Sequence, residues 1–306
     1  MSTCKPKIAI ALGAGAARGW AHVGVIRALE EAQIPIDIVC GTSIGSMVGA
    51  AYASGEFDRF EHWMHGLTLM DVIGLMDVTL SGGLLKGEKL ATFFQKTFTD
   101  PPIESLSLPF AAVATDLSTG AEVWLQEGST AQAVRASMAL PGLLTPVFLD
   151  GRTLVDGGLV NPVPISLARA LGADIVIGVD LNADILGRHM SAEKAEALSA
   201  SHEGPTTEWF KRVQLALASQ WPAFASKKES APIPSLFDVV ASSINIMQVR
   251  ITRSRMAGDP ADAVVSPYLA HLGLMDFHRA PEAVEQGRLA VERALPSIEA
   301  AIASVS

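Results

Sequence analysis

Ile38-Val39-Cys40-Gly41-Thr42-Ser43-Ile44-Gly45-Ser46-Met47-Val48-Gly49-Ala50 reads as a buried strand, a sharp turn and a small-residue helix, with a serine at the tip of the turn. The G-x-S-x-G pattern is that of a nucleophile elbow, in which the turn holds Ser43 in a strained backbone conformation and pushes its Oγ into the open. Gly41 and Gly45 flank it because side chains there would collide where strand and helix meet. Behind the serine lies a helix N-terminus with free N–H groups and the positive end of the helix dipole. A glycine-rich turn capped by serine is the plain structural alternative for so short a motif, so the surrounding chain has to decide.

Upstream, Lys7 to Leu12 is a short apolar run that stops at Gly13-Ala14-Gly15-Ala16-Ala17-Arg18-Gly19. A helical face follows over Trp20 to Ala32, carried by Val23, Val25, Ile26, Ala28 and Leu29. With the elbow strand and its helix, Ile44 to Ala53, this is a βαβα opening, which implies a parallel sheet with helices on its faces. Further strands are expected at Pro109 to Ala114 and Glu122 to Leu125, the second hairpinned to the first. Ser129 caps a helix over Ala131 to Met138. Asp150-Gly151 then turns a hairpin between Val147 and Val155 whose returning strand runs into Asp156-Gly157-Gly158. Asp174 to Leu181 has the strongest buried-strand signal in the chain, and Ala263 to Val265 reads as the last strand. Helices are expected over Trp209 to Trp221 and Leu236 to Met256, the latter with Leu236, Val240, Ile244, Met247 and Ile251 as its core-facing stripe.

The chain has 306 residues, 49% of them hydrophobic, enough for one large α/β domain or two small ones. One domain over 5–306 is expected, with a motif-bearing core at about 7–182 and a helical C-terminal portion at about 185–306. The net charge of −9 argues against nucleic acid and against strong attraction to anionic lipid, so any peripheral membrane contact must be mainly apolar. Two cysteines, Cys4 and Cys40, support neither a disulfide framework nor a thiolate metal site. No segment reads as a signal peptide or a membrane span, and the expected location is the cytoplasm.

A serine hydroxyl needs a base to take its proton and preorganised donors for the oxyanion that follows. The donor candidate is the loop Gly13, Ala14, Gly15, Ala16 to Arg18, which lies at the same carboxyl edge of the sheet as Ser43. Small residues let backbone N–H groups point at an anion, and Arg18 adds positive charge. A dinucleotide site is the competing reading, with Asp37 about 20 residues on. The third glycine, however, comes one position late at Gly19, and Asp37 begins its strand instead of ending it. None of the seven histidines sits at a strand end among loop glycines, and His22, on the first helix, reads as a packing or hydrogen-bonding residue. Asp156 does end a strand and is followed by two glycines, the setting of a base or of a turn aspartate. Asp116 and Asp180, also near strand ends, read as structural or as supports to the groups of the site.

The chain resembles the patatin-like phospholipases, specifically the bacterial group similar to the neuropathy target esterase catalytic domain. The resemblance rests on the loop Gly13 to Gly19, the elbow at Ser43, Ala114 to Gly120, Arg135 to Gly142 and Asp156 to Pro164. It implies a patatin-like α/β/α fold and a lipid acyl hydrolase, of phospholipase A, lysophospholipase or esterase type. Its catalytic unit is a Ser-Asp dyad without histidine, Ser43 as nucleophile and Asp156 as base, with oxyanion donors near Gly15 and Ala16 and no cofactor. No Asp-rich loop implies calcium. One departure stands out: positions 14 and 16 are alanine where the family's loop is usually a run of glycines, and alanine at a positive φ is strained. The alternative is therefore a catalytically weak lipid-binding or regulatory protein on the same fold.

An aspartate is a weaker base than histidine by about 2.6 pKa units, which favours good leaving groups and so esters and thioesters over amides. The Met-, Trp- and Phe-rich stretch from Phe57 to Phe98 has two readings, core packing or contact with an acyl chain or lipid surface.

Overall fold

The computed structural model describes residues 5–67, 100–141, 143–185 and 236–305. Cys4, the apolar positions from Met70 to Phe98 and the expected helix Trp209 to Trp221 lie outside them. The chain opens with β1 (Ile8–Leu12), a tight 3-10 turn (Ala16–Trp20), α1 (Ala21–Glu31), β2 (Ile38–Thr42), α2 (Ile44–Ala53) and α3 (Phe57–Gly66). β3 (Phe110–Asp116), β4 (Glu122–Leu125), α4 (Thr130–Ser137), β5 (Val147–Leu149) and β6 (Arg152–Asp156) follow. The rest is α5 (Ile165–Ala170), β7 (Ile175–Val179), α6 (Leu236–Gly258), β8 (Ala263–Val265) and α7 (Ala280–Val305).

Among the described residues eight strands form one sheet, with β5-β6-β3-β2-β1-β7-β8 as neighbours and β4 attached to β3. The β3–β2, β2–β1, β1–β7 and β7–β8 pairings are parallel, while β4, β5 and β6 add antiparallel pairs at one side. Both faces are covered, so β1 is buried throughout and its side chains divide between two layers. Ile8, Ile10 and Leu12 join the core under α1, α2 and α7, and Ala9 and Ala11 the core under α5.

Local signals explain most of these elements. The Ser129 hydroxyl accepts from the Gln132 N–H and starts α4. Asp150 and Gly151 both take positive φ, the conformation of a two-residue hairpin turn. Phe57, Phe60 and Met64 are buried, and Phe60 and Trp63 pack around Trp20, so this described part of the aromatic stripe is core.

Two features differ from the sequence expectation or go beyond it. On α6, Val240 is 40% exposed and Met247 47% exposed, whereas Ile244, Gln248, Val249 and Thr252 face inward. The stripe is rotated because α6 lays Gln248 against the loop residues Asn182 and Gly158, a polar contact that a hydrophobic period cannot anticipate. α7 lies along α1 at backbone contact: a Cβ on Gly24 would fall 1.9 Å from Val284 O, and one on Gly287 2.0 Å from Ala21 O. Among the described residues no helix is long and apolar enough to cross a membrane.

Candidate active site

Ser43 sits between β2 and α2 at φ 57°, ψ −126°, a conformation that L-residues rarely hold. The elbow is enforced by close contact. A Cβ on Gly45 would lie 2.2 Å from Leu12 O, and one on Gly41 2.4 Å from Ser46 Cα. Four hydrogen bonds hold the turn: Ser43 N–H donates to Ser137 Oγ at 2.9 Å, Ser46 N–H to Ser43 O at 2.9 Å, Ser46 Oγ to the same oxygen at 2.6 Å, and Thr42 Oγ1 to Asn161 O at 2.9 Å.

The sheet brings Asp156 to this turn. β4 occupies one edge of β3, pairing with Ala112 to Thr115, so β2 and β6 must share the other. β2 pairs with Phe110 to Val113 and β6 with Ala114 to Asp116, so the two strands meet end to end, β2 stopping at Thr42 and β6 at Asp156. Ser43 Oγ consequently donates to Asp156 Oδ2 at 2.6 Å. Asp156 is buried, and its other oxygen accepts from Gly158 N–H at 2.7 Å. Burial pushes its carboxyl up to about 6, against the hydrogen bonds from Ser43 and Gly158, which favour the charged form.

The glycine loop crosses beside this pair and ends in the 3-10 turn that leads into α1. Gly13 N–H donates to Val179 O at 3.1 Å and Ala14 N–H to Pro162 O at 2.8 Å. These two N–H groups are therefore engaged within the fold, which corrects the expectation that Gly13 and Ala14 are oxyanion donors. Gly15 and Ala16 N–H have no acceptor among the described residues. Gly15 is extended at φ 176°, whereas Ala16 has φ 50°, so a left-handed backbone falls on one of the two alanines. Arg18, expected to add positive charge to the loop, spends its guanidinium donors within the fold as a brace. It is buried, its Nε donates to Gly15 O at 3.2 Å and its Nη2 to Asn245 Oδ1 at 2.8 Å, and burial lowers its pKa to about 10.

His22 is buried beneath the loop with Nε2 2.8 Å from Gly13 O, and burial lowers its pKa to about 4. It is therefore neutral near pH 7, and because a carbonyl only accepts, Nε2 carries the proton and donates. Asp116 closes a turn by accepting from Ser118 N–H, and Asp180 accepts from Asn182 N–H. Asp37 Oδ2 accepts from Ile8 N–H at the amino edge of the sheet, remote from any ribose at the carboxyl edge. Residues that sequence reasoning passed over are Ser137, Asn182 and Gln248. Asn182 could have been flagged as a polar side chain just past the carboxyl end of the most strongly signalled strand, where ligand-facing residues of parallel sheets collect.

A mostly parallel sheet that carries a strained serine elbow, a carboxylate on its hydroxyl and a helix-leading loop whose Gly15 and Ala16 N–H groups have no acceptor among the described residues defines an α/β protein of the nucleophile-elbow type. The patatin-like phospholipase family model matches residues 10–169, and the chain belongs to that family. It is 33% identical to an uncharacterized NTE family protein of Mycobacterium tuberculosis, over 96% of this chain and 92% of that one. It is 40% identical to patatin-like phospholipase domain-containing protein 6 of Homo sapiens over 182 residues, 57% of this chain and 13% of that longer protein. The crystal structure of VipD from Legionella pneumophila shares the fold, with a TM-score of 0.54 at 15% identity over 96% of this chain and 67% of that one. Family membership implies a lipid ester hydrolase.

Proposed function

We propose that this chain is a serine acyl hydrolase that cleaves lipid carboxylic esters through Ser43 and Asp156, within one domain spanning 5–306. The observation that carries the proposal is the 2.6 Å hydrogen bond from the strained Ser43 to the buried Asp156. In the first step Asp156 Oδ2 takes the Ser43 proton as Oγ attacks the ester carbonyl. The resulting oxyanion is received by the N–H groups of Gly15 and Ala16, donors already aimed before charge develops. Collapse expels the alcohol or lysolipid, which takes the proton back from Asp156 and leaves an acyl group on Ser43. Water then attacks the acyl-enzyme as Asp156 takes its proton, and collapse breaks the acyl–Oγ bond, releases the fatty acid and returns the proton from Asp156 to Ser43 Oγ.

The raised Asp156 pKa suits both halves of this cycle. At about 6 it is mostly ionised near pH 7 and acts as a base, yet it is a far more competent acid than a carboxyl at about 3.9. It still lies below an ordinary histidine, which favours esters over amides. The rival reading, lipid binding without turnover, requires the loop to have lost its donors, and the free Gly15 and Ala16 N–H groups favour hydrolysis instead. Because a lipid ester is met at a surface, the proposal includes peripheral lipid contact by a cytoplasmic protein.

The test is hydrolysis of short- and medium-chain p-nitrophenyl esters by wild type, Ser43→Ala and Asp156→Asn, with mass detection of a fluorophosphonate adduct. Turnover lost in both variants and an adduct confined to Ser43 are expected. A folded wild type with neither turnover nor adduct would sink the hydrolase reading.

A further inference from the structure

We infer that Asn182 is a positioning residue that aims the Gly15 N–H at the oxyanion, an assignment that rests on the acyl-hydrolase reading. In a trans peptide unit the C=O and the following N–H point in opposite directions across one rigid plane. Whatever holds the Ala14 carbonyl therefore aims the Gly15 N–H. That carbonyl accepts from Asn182 Nδ2 at 3.0 Å, and both residues are buried.

The Ala14 carbonyl can only accept, so it is Asn182 Nδ2 that faces it, and turning the amide over would set two oxygens together. Gln248 Oε1 lies 3.4 Å from the same Nδ2. The Asn182 backbone is held by the 2.9 Å bond from its N–H to Asp180 Oδ1. The neighbouring units of the loop have their own supports: His22 on Gly13 O, Pro162 O on Ala14 N–H, and Arg18 on Gly15 O. Among the described residues only the unit that carries the Gly15 N–H depends on Asn182. Asn182 and Gln248 both lie beyond residues 10–169, so this support comes from chain outside the family-matched segment.

Without the amide donor, the buried Ala14 carbonyl loses its partner and turns to seek another, and the Gly15 N–H turns with it. Because the oxyanion exists only from the transition state onward, the loss must appear in kcat and not in substrate binding. Loss of a whole oxyanion donor lowers kcat about 10²–10³-fold, so a misaimed one is expected to lower it about 10–100-fold.

The experiment compares wild type, Asn182→Ala and the near-isosteric Asn182→Leu, so that one folded variant suffices. Kinetics with a p-nitrophenyl ester, inhibition by a trifluoromethyl ketone that forms a hemiketal on Ser43, and the Gly15 amide resonance of unliganded 15N-labelled protein are measured together. Expected are a fall in kcat with KM nearly constant, ketone affinity weakened in proportion to kcat/KM, and a displaced Gly15 resonance. Unchanged kcat in a folded variant, a rise in KM alone, or an unmoved Gly15 resonance would overturn the assignment. A wild type that hydrolyses no ester, with the Gly15 resonance still displaced in the variants, would overturn the hydrolase reading and the oxyanion role while leaving the hold of Asn182 on the loop.

Discussion

Ser43 and Asp156 stand 113 residues apart in the chain and hydrogen-bond at 2.6 Å because β2 and β6 end against each other along one edge of β3. The strained serine and the buried acid are thus placed by the sheet itself, and their energetics are open to direct measurement.

The rate should report the Asp156 carboxyl. As a base it must be ionised, so kcat/KM is expected to rise with pH along a limb centred near 6, where burial has moved the group. A pH–rate profile on a p-nitrophenyl ester checks this, and a limb near 4 would contradict the buried environment.

The same shift has a stability consequence. With its folded pKa near 6 and an unfolded value near 3.9, native Asp156 binds more protons than the unfolded chain between those values, so its contribution to stability falls as pH rises through that window. Asp156→Asn removes the buried charge and is expected to stabilise the fold at pH 8 by an amount on the order of 3 kcal/mol, with the gain vanishing toward pH 4. Denaturant unfolding of both proteins at the two pH values decides it.

Backbone strain at the elbow separates two inactive variants. Ser43→Ala and Ser43→Gly both remove the nucleophile and its hydrogen bond, but only glycine relieves φ 57°, ψ −126°. Ser43→Gly should therefore be the more stable by about 1–2 kcal/mol. Equal stabilities would mean that the strain of the elbow is no larger than the cost of the more flexible unfolded chain that glycine brings.

Ala16 is the loop alanine that takes a positive φ. Ala16→Gly is expected to keep kcat within about twofold and change stability by no more than about 1 kcal/mol, because relief of strain offsets a more flexible unfolded chain. Ala16→Val places a β-branched residue in the same conformation and should lower both stability and kcat. Thermal midpoints and ester kinetics on the pair test this.

Docking of α7 on α1 requires Gly287, whose added Cβ would lie 2.0 Å from Ala21 O. Gly287→Leu should destabilise the fold by more than about 2 kcal/mol, since the opposing atom is backbone and the helices must move apart. An unfolding midpoint equal to that of wild type would argue against this packing.

What the sequence determined by itself was local. The elbow at Ser43, the Asp150-Gly151 hairpin, the Ser129 cap and the strand ending at Asp156 depend on turn chemistry and side-chain alternation within a few residues. The short motifs singled out Ser43 and left Asp156 as a base or a turn aspartate, and the family resemblance they carry implied the pair. Only the tertiary structure decided which loop N–H groups stay free, that Arg18 turns back to brace Gly15, and that α6 buries Gln248 while exposing Met247. The reason is reach: Gly13 and Ala14 lose their donors to Val179 and Pro162, and the Ala14 carbonyl finds Asn182 across 168 residues. No pattern within a loop records which distant groups will be packed against it.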